Sequence, residues 1–83
     1  MTWAVEWSRI ALRDLAAIPS WETAARIDGA LIRLASTGDG DIRRAVAPDG
    51  TTETRLLVPP YAAMLTRDRR RRAIIVWRVL RYA

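Results

Sequence analysis

From Thr52 onward the chain reads as three strands divided by two turns, and this stretch limits the fold more than any other. Thr52 to Val58, Tyr61 to Arg67 and Arg72 to Tyr82 are rich in aliphatic and aromatic residues, with Pro59-Pro60 and Asp68 to Arg71 between them. Neither proline can donate a ladder hydrogen bond, so the backbone there must lie outside a central pairing. The last strand is the most apolar. Its alternation sets Ala73, Ile75, Trp77 and Val79 on one face, with Trp77 expected in the core, and Ile74, Val76, Arg78 and Leu80 on the other. An arginine inside an apolar stripe needs an acceptor or water. Arg78 is therefore a candidate for contact with a phosphate or a carboxylate. With Leu57, Ile74, Val76 and Leu80 expected on the face away from the helices, something should cover that face: a partner segment or a homodimer contact.

The first half has a different period. Trp3-Ala4-Val5-Glu6-Trp7 alternates as a half-buried strand, with Trp3, Val5 and Trp7 expected in the core. Ser8 offers an N-cap to a short helix over roughly Arg9 to Ala17, on which Ala11, Leu12, Leu15 and Ile18 share a side before Pro19 ends it. Ser20 caps a second helix, Glu22 sits in its first turn, and Ala24, Ile27, Leu31 and Leu34 make its core-facing stripe up to Gly38. The short connection predicts an antiparallel helical hairpin. Thr37 to Asp41 is a loop, Ile42 to Val46 a weak strand, and Pro48-Asp49-Gly50 a turn. The order is strand, two helices, then strands: a single α+β domain over 1–83, with both helices packed on one face of a mostly antiparallel sheet.

Composition narrows the chemistry. No apolar run approaches the ~20 residues that span a bilayer, and no basic start precedes an apolar stretch at the N-terminus, so a soluble, cytoplasmic protein without membrane contact is expected. Cysteine is absent, which excludes disulfides, thiolate nucleophiles and zinc–thiolate sites. All 14 basic residues are arginine, and Lys, His, Asn, Gln and Phe do not occur. That bias fits GC-rich coding DNA. Without histidine, any proton transfer falls to carboxylates, Tyr61 or Tyr82. Asp39-Gly40-Asp41 lacks the remaining ligands of a calcium loop, and no glycine-rich phosphate loop occurs, so neither metal nor cofactor is expected.

The net charge of +5 is uneven, because Asp68 is the sole acid after Arg55. A basic C-terminal half should attract nucleic acid or an acidic protein segment. The run Arg69 to Arg72 reads as a solvated hairpin tip that adds salt-dependent, sequence-independent attraction.

The ordered set resembles the RelE/ParE superfamily of bacterial toxin–antitoxin toxins across nearly the whole chain. The residues that carry the resemblance are Trp3 and Trp7 on the opening strand, Ala11-Leu12-x-Asp14-Leu15, Ile18-Pro19, Ile27 with Leu31-x-x-Leu34, Arg55-Leu56 ahead of Tyr61, and the aliphatic strand ending in Arg81-Tyr82. The resemblance implies a toxin neutralised by a cognate antitoxin. RelE-like members cut mRNA on the ribosome with basic and Tyr residues of the open sheet face; ParE-like members block DNA gyrase. In the first chemistry a ribose 2′-hydroxyl attacks the adjacent phosphate, so guanidinium groups must hold that phosphate and stabilise its charge. The candidate catalytic set it implies is Arg55, Tyr61, Arg78, Arg81 and Tyr82, acting without metal. Pro60 stands where the family usually has Gly, Ala62 where a phosphate-binding Arg is usual, and Leu57 where a base is common. The resemblance would place a further Tyr beyond Ala83. Two functions stay open: a metal-independent endoribonuclease that inhibits translation, or a non-catalytic module that poisons gyrase or only binds an antitoxin.

Overall fold

The computed structural model describes residues 2–46 and 48–83. In chain order the elements are β1 (Ala4–Trp7), α1 (Arg9–Ala16), α2 (Trp21–Thr37), β2 (Ile42–Val46), β3 (Thr52–Val58), β4 (Tyr61–Asp68) and β5 (Ala73–Arg81). The strands form one mixed sheet ordered β1-β5-β4-β3-β2. The two helices carry the chain from one edge of that sheet to the other, and β2 to β5 then return as an antiparallel meander until β5 meets β1 in parallel.

Local signals set the helix limits. The Ser8 Oγ accepts from the Ala11 N–H at 3.0 Å, and the Ser20 Oγ accepts from the Thr23 N–H at 3.2 Å, so each helix begins with an orphan donor satisfied. Gly38 ends α2 with φ +79°, and its N–H donates to the Leu34 carbonyl at 2.9 Å, a left-handed cap that a Cβ would disfavour. Pro59-Pro60 forms the tight link between β3 and β4, as its missing donors require.

The core lies between the helices and one face of the sheet. Ile27, Leu31 and Leu34 of α2 and Ala11 of α1 pack against Leu56, Leu65, Ile74, Val76 and Val79, with Trp3, Val5 and Trp7 partly buried at the margin. Along α2 the expected stripe of Ala24, Ile27, Leu31 and Leu34 all reaches this core. On α1 the expectation fails at Leu12, which is 50% exposed. One short helix can turn only a narrow arc inward, and Ala11 with Leu15 takes it.

The larger correction concerns β5. Met64 pairs with Arg78 but Leu65 pairs with Val76, so Trp77 is an extra residue at a β-bulge. A bulge reverses the side on which successive side chains fall. Ile74, Val76 and Val79 therefore all point into the core, while Trp77 is 50% exposed instead of buried. Of the apolar face expected away from the helices, Ile74 and Val76 are buried in the core instead, and Leu57 and Leu80 remain on the open side.

Urea denaturation distinguishes the two leucines. Leu31→Ala is expected to lower stability by about 3 kcal/mol, as for a fully buried leucine, and Leu12→Ala by less than about 0.5 kcal/mol.

Candidate functional site

Residues paired across neighbouring strands share a face of the sheet. On the face away from the core, Arg43 of β2 pairs with Arg55 of β3, Arg55 with Met64 of β4, and Met64 with Arg78 of β5. Three arginines thus lie in one row across four strands, Arg43 and Arg55 one strand spacing of about 4.8 Å apart and Arg55 and Arg78 about twice that, with Met64 between them. The next row is apolar: Leu57, Ala62 and Leu80.

Each arginine of the row meets a carboxylate. The Arg43 Nε donates to Asp41 at 3.0 Å, and an Arg55 terminal nitrogen donates to Glu53 at 2.8 Å. Both pairs join residues two apart in the chain at exposed or half-exposed positions, where an ion pair is worth at most about 1 kcal/mol and exchanges readily. The Arg55 Nε is buried without a hydrogen-bond partner.

Arg78 is held differently. Its Nε donates to the Asp14 Oδ2 at 2.8 Å and a terminal nitrogen to Oδ1 at 3.3 Å, a two-point contact between β5 and α1. The Val79 N–H donates to the same Oδ2 at 2.9 Å, and the Asp14 side chain is only 16% exposed. The acceptor that an arginine among apolar residues demands is thus Asp14. The hydrogen bond from Arg78 lowers the Asp14 pKa most; burial opposes it, and the Val79 N–H and the charge of Arg78 reinforce it. Asp14 in turn raises the pKa of Arg78, so both stay ionised.

The remaining expected site residues lie elsewhere. Tyr61 pairs with Val58 and Arg81, and its ring packs against the core, so Tyr61 and Arg81 share the opposite face from Arg55. The Arg81 Nε donates to the Ala83 carbonyl at 2.8 Å. Tyr82 follows β5, about half exposed, with its N–H bonded to the Pro60 carbonyl at 2.9 Å. The structure therefore brings Arg55 and Arg78 together and sets Tyr61 and Arg81 apart from them. Sequence reasoning missed Arg43, whose signal was its register with Arg55, and Asp14, whose signal was a lone acid on the inner side of α1. Among the described residues no group of three or more His, Cys, Asp or Glu lies close enough to hold a metal ion, and no helix is long and apolar enough to cross a membrane.

Comparison of the whole chain with solved structures decides the fold. It superposes on a chain of the toxin–antitoxin complex RelBE2 from Mycobacterium tuberculosis with a TM-score of 0.77, covering 99% of this chain and 100% of that one at 17% identity. The chain has the RelE-like fold. A chain of the archaeal RelE–RelB complex from Pyrococcus horikoshii gives a TM-score of 0.77 at 13% identity, over 98% of this chain and 96% of that one. A chain of the RelB–RelE antitoxin–toxin complex from Methanococcus jannaschii gives 0.66 at 16% identity, over 92% and 88%. The sequence itself matches no family model and no curated protein.

Asp14→Ala tests the clip between α1 and β5. Loss of its charged hydrogen bonds, with the Val79 N–H left unpaired, should lower stability by about 2 kcal/mol, and the melting temperature by roughly 10 °C for a domain this small. Because folding lowers the Asp14 pKa, the wild-type advantage should be full above about pH 4 and shrink as pH falls further. Thermal melts of both proteins across acidic pH read this directly.

Proposed function

We propose that this protein is the toxin of a type II toxin–antitoxin pair and that it inhibits translation by cleaving mRNA on the ribosome. The row Arg43, Arg55 and Arg78 carries the proposal. It offers planar donors on one open sheet face, and the fold is the one seen in chains of RelE–RelB complexes. In this reading Arg55 and Arg78 grip the attacked phosphate. Its phosphorus bonds to the 2′-oxygen as its bond to the 5′-oxygen of the next nucleotide breaks, leaving a 2′,3′-cyclic phosphate and a 5′-oxygen that takes up a proton. The charge of the two arginines offsets the negative charge that grows on the phosphate oxygens as the 2′-hydroxyl attacks. The proton of that hydroxyl goes to a carboxylate of the same face. Glu53, 2.8 Å from Arg55, is the nearest. Arg81 and Tyr82, at the β3–β4 turn end of the sheet, serve as outer contacts where the RNA strand crosses the rim, while Tyr61 stays packed against the core. The antitoxin partner is an acidic segment that competes for the same guanidinium groups. The protein works in the cytoplasm, where that partner and the ribosome meet it.

A second reading has its own observation. Ala62 is buried in the apolar row where an arginine would hold phosphate, and Tyr61 packs toward the core. A sheet face without that arginine and tyrosine suits a non-catalytic ParE-like inhibitor of DNA gyrase, or a module that only binds an antitoxin.

Induced expression in a bacterial host, with labelled methionine and thymidine followed in parallel, separates these readings. Early loss of methionine incorporation is the expected result, and Arg55→Ala should slow it at least about tenfold. Early loss of thymidine incorporation would point to gyrase, and unimpaired growth to a module without activity.

A further inference from the structure

The sheet is split at one end. β3 pairs with β4 only from Val58↔Tyr61 to Thr54↔Leu65. Beyond that, Thr52 and Glu53 continue to pair with β2 alone, while Thr66, Arg67 and Asp68 pair with β5 alone. The divergence begins next to the bulge between Met64 and Leu65. Two cavities of about 240 Å³ each open there, and Thr52, Thr54 and Thr66 line both of them.

The two halves of this gap open on opposite faces of the sheet and differ in chemistry. Arg44 pairs with Thr54 and Thr54 with the buried Leu65, whereas Trp77 lies beside Met64 on the open face. One half is lined by Arg44, Arg67 and Arg69 and by no carboxylate. None of the ion pairs among the described residues involves these three arginines, in contrast to the row on the open face. Three like charges converging without a counter-charge repel one another and focus a positive potential into the gap. Three threonine hydroxyls add neutral donors beside them. The other half holds Trp77 with Met64 and the carboxylate Glu53, which is paired with Arg55. The Trp77 indole N–H donates to the Thr66 Oγ1 at 2.8 Å, which fixes the ring while leaving half of its surface open.

We infer that a single-stranded nucleic acid passes through this gap between β3 and β4, with Arg44, Arg67 and Arg69 on its phosphates at one face and Trp77 stacked on one unpaired base at the other. A charged groove continuous with an aromatic platform is the combination that holds such strands, and stacking needs a free base face. The Trp77 side borders the arginine row through Met64 and Glu53, while Arg44, Arg67 and Arg69 lie outside that row, and the assignment to RNA rests on the function proposed above. The gap gives that function a second hold on the strand, one that contributes affinity and register and touches no reacting bond.

Fluorescence anisotropy with labelled oligouridine, and with an abasic phosphodiester strand of the same length, tests the cleft over a series of salt concentrations. Replacing Arg44, Arg67 and Arg69 together by Gln should weaken both strands and reduce the slope of log affinity against log salt by about 2, from about 0.7 per phosphate contact. Trp77→Ala should weaken oligouridine about tenfold and leave the abasic strand unchanged, and Trp77→Phe should keep most of the difference. A control with Arg9, Arg13 and Arg33 replaced by Gln makes the same change in net charge away from the cleft, and should move the slope by less than half as much. Equal slopes in the two triple variants overturn the phosphate site. Equal effects of Trp77→Ala on both strands overturn the base platform. If oligouridine affinity is unchanged in the cleft variants, the inference fails and the cleft is left to an acidic protein segment. Failure of the wild type to bind either strand overturns the cleft, whereas the methionine and thymidine experiment judges the underlying reading separately.

Discussion

The edge of β5 organises this molecule. β1 is four residues long and pairs with β5 only as far as Val76, so the rest of that edge must find other partners. It finds them in the chain that follows β1. The Ser8 N–H donates to the Val76 carbonyl at 2.9 Å, the Ser8 hydroxyl donates to the Trp77 carbonyl at 2.8 Å, and Asp14 accepts the Val79 N–H. A helix cap and one carboxylate thus take the place of strand residues, which seats α1 against β5. Buried backbone groups leave little freedom here, because each one left unpaired costs as much as a lost hydrogen bond. Asp14 joins this structural duty to the open face, since the same carboxylate fixes the direction of Arg78.

The bulge at Trp77 then decides which side chains are available. Without the extra residue, a strict alternation would keep Arg78 on the face of Ile74 and Val76, inside the core. With it, Val79 is buried and Arg78 falls in register with Met64 and Arg55. One inserted residue therefore reconciles an apolar strand with a charged row. The Ser8 hydroxyl bonded to the Trp77 carbonyl anchors that insertion from the helix side.

Much of the fold was legible from the chain. β2 and β3 lie where hydrophobic alternation and turn residues predict, and Gly38 and Ser20 bound α2 as their capping chemistry requires. The parallel pairing of β1 with β5 was not legible, because nothing local in Ala4–Trp7 specifies a partner so far along the chain. Nor was the bulge. An alternating pattern carries no mark where its phase slips, and Trp77 looked like core because a large aromatic usually is. The candidate site was half legible for the same reason. Arg55 lies opposite Leu56 by simple parity, but Arg43 and Arg78 join it only through strand register, and the separation of Tyr61 and Arg81 from that face follows from register too.

The parallel pair also has a consequence for how the molecule comes into being. β5 supplies Ile74, Val76 and Val79 to the core and is the strand beside which β1 and α1 settle. During synthesis, everything up to Arg72 is therefore made before the N-terminal strand has anything to pair with. Local elements such as α2 can appear early, but the long-range closure has to wait, as it does in topologies rich in distant contacts. The nascent chain stays open until residues 73–81 leave the ribosomal tunnel, and the row of Arg43, Arg55 and Arg78 is assembled in the same step. A growing chain is thus without its finished surface for as long as β5 is still inside the tunnel.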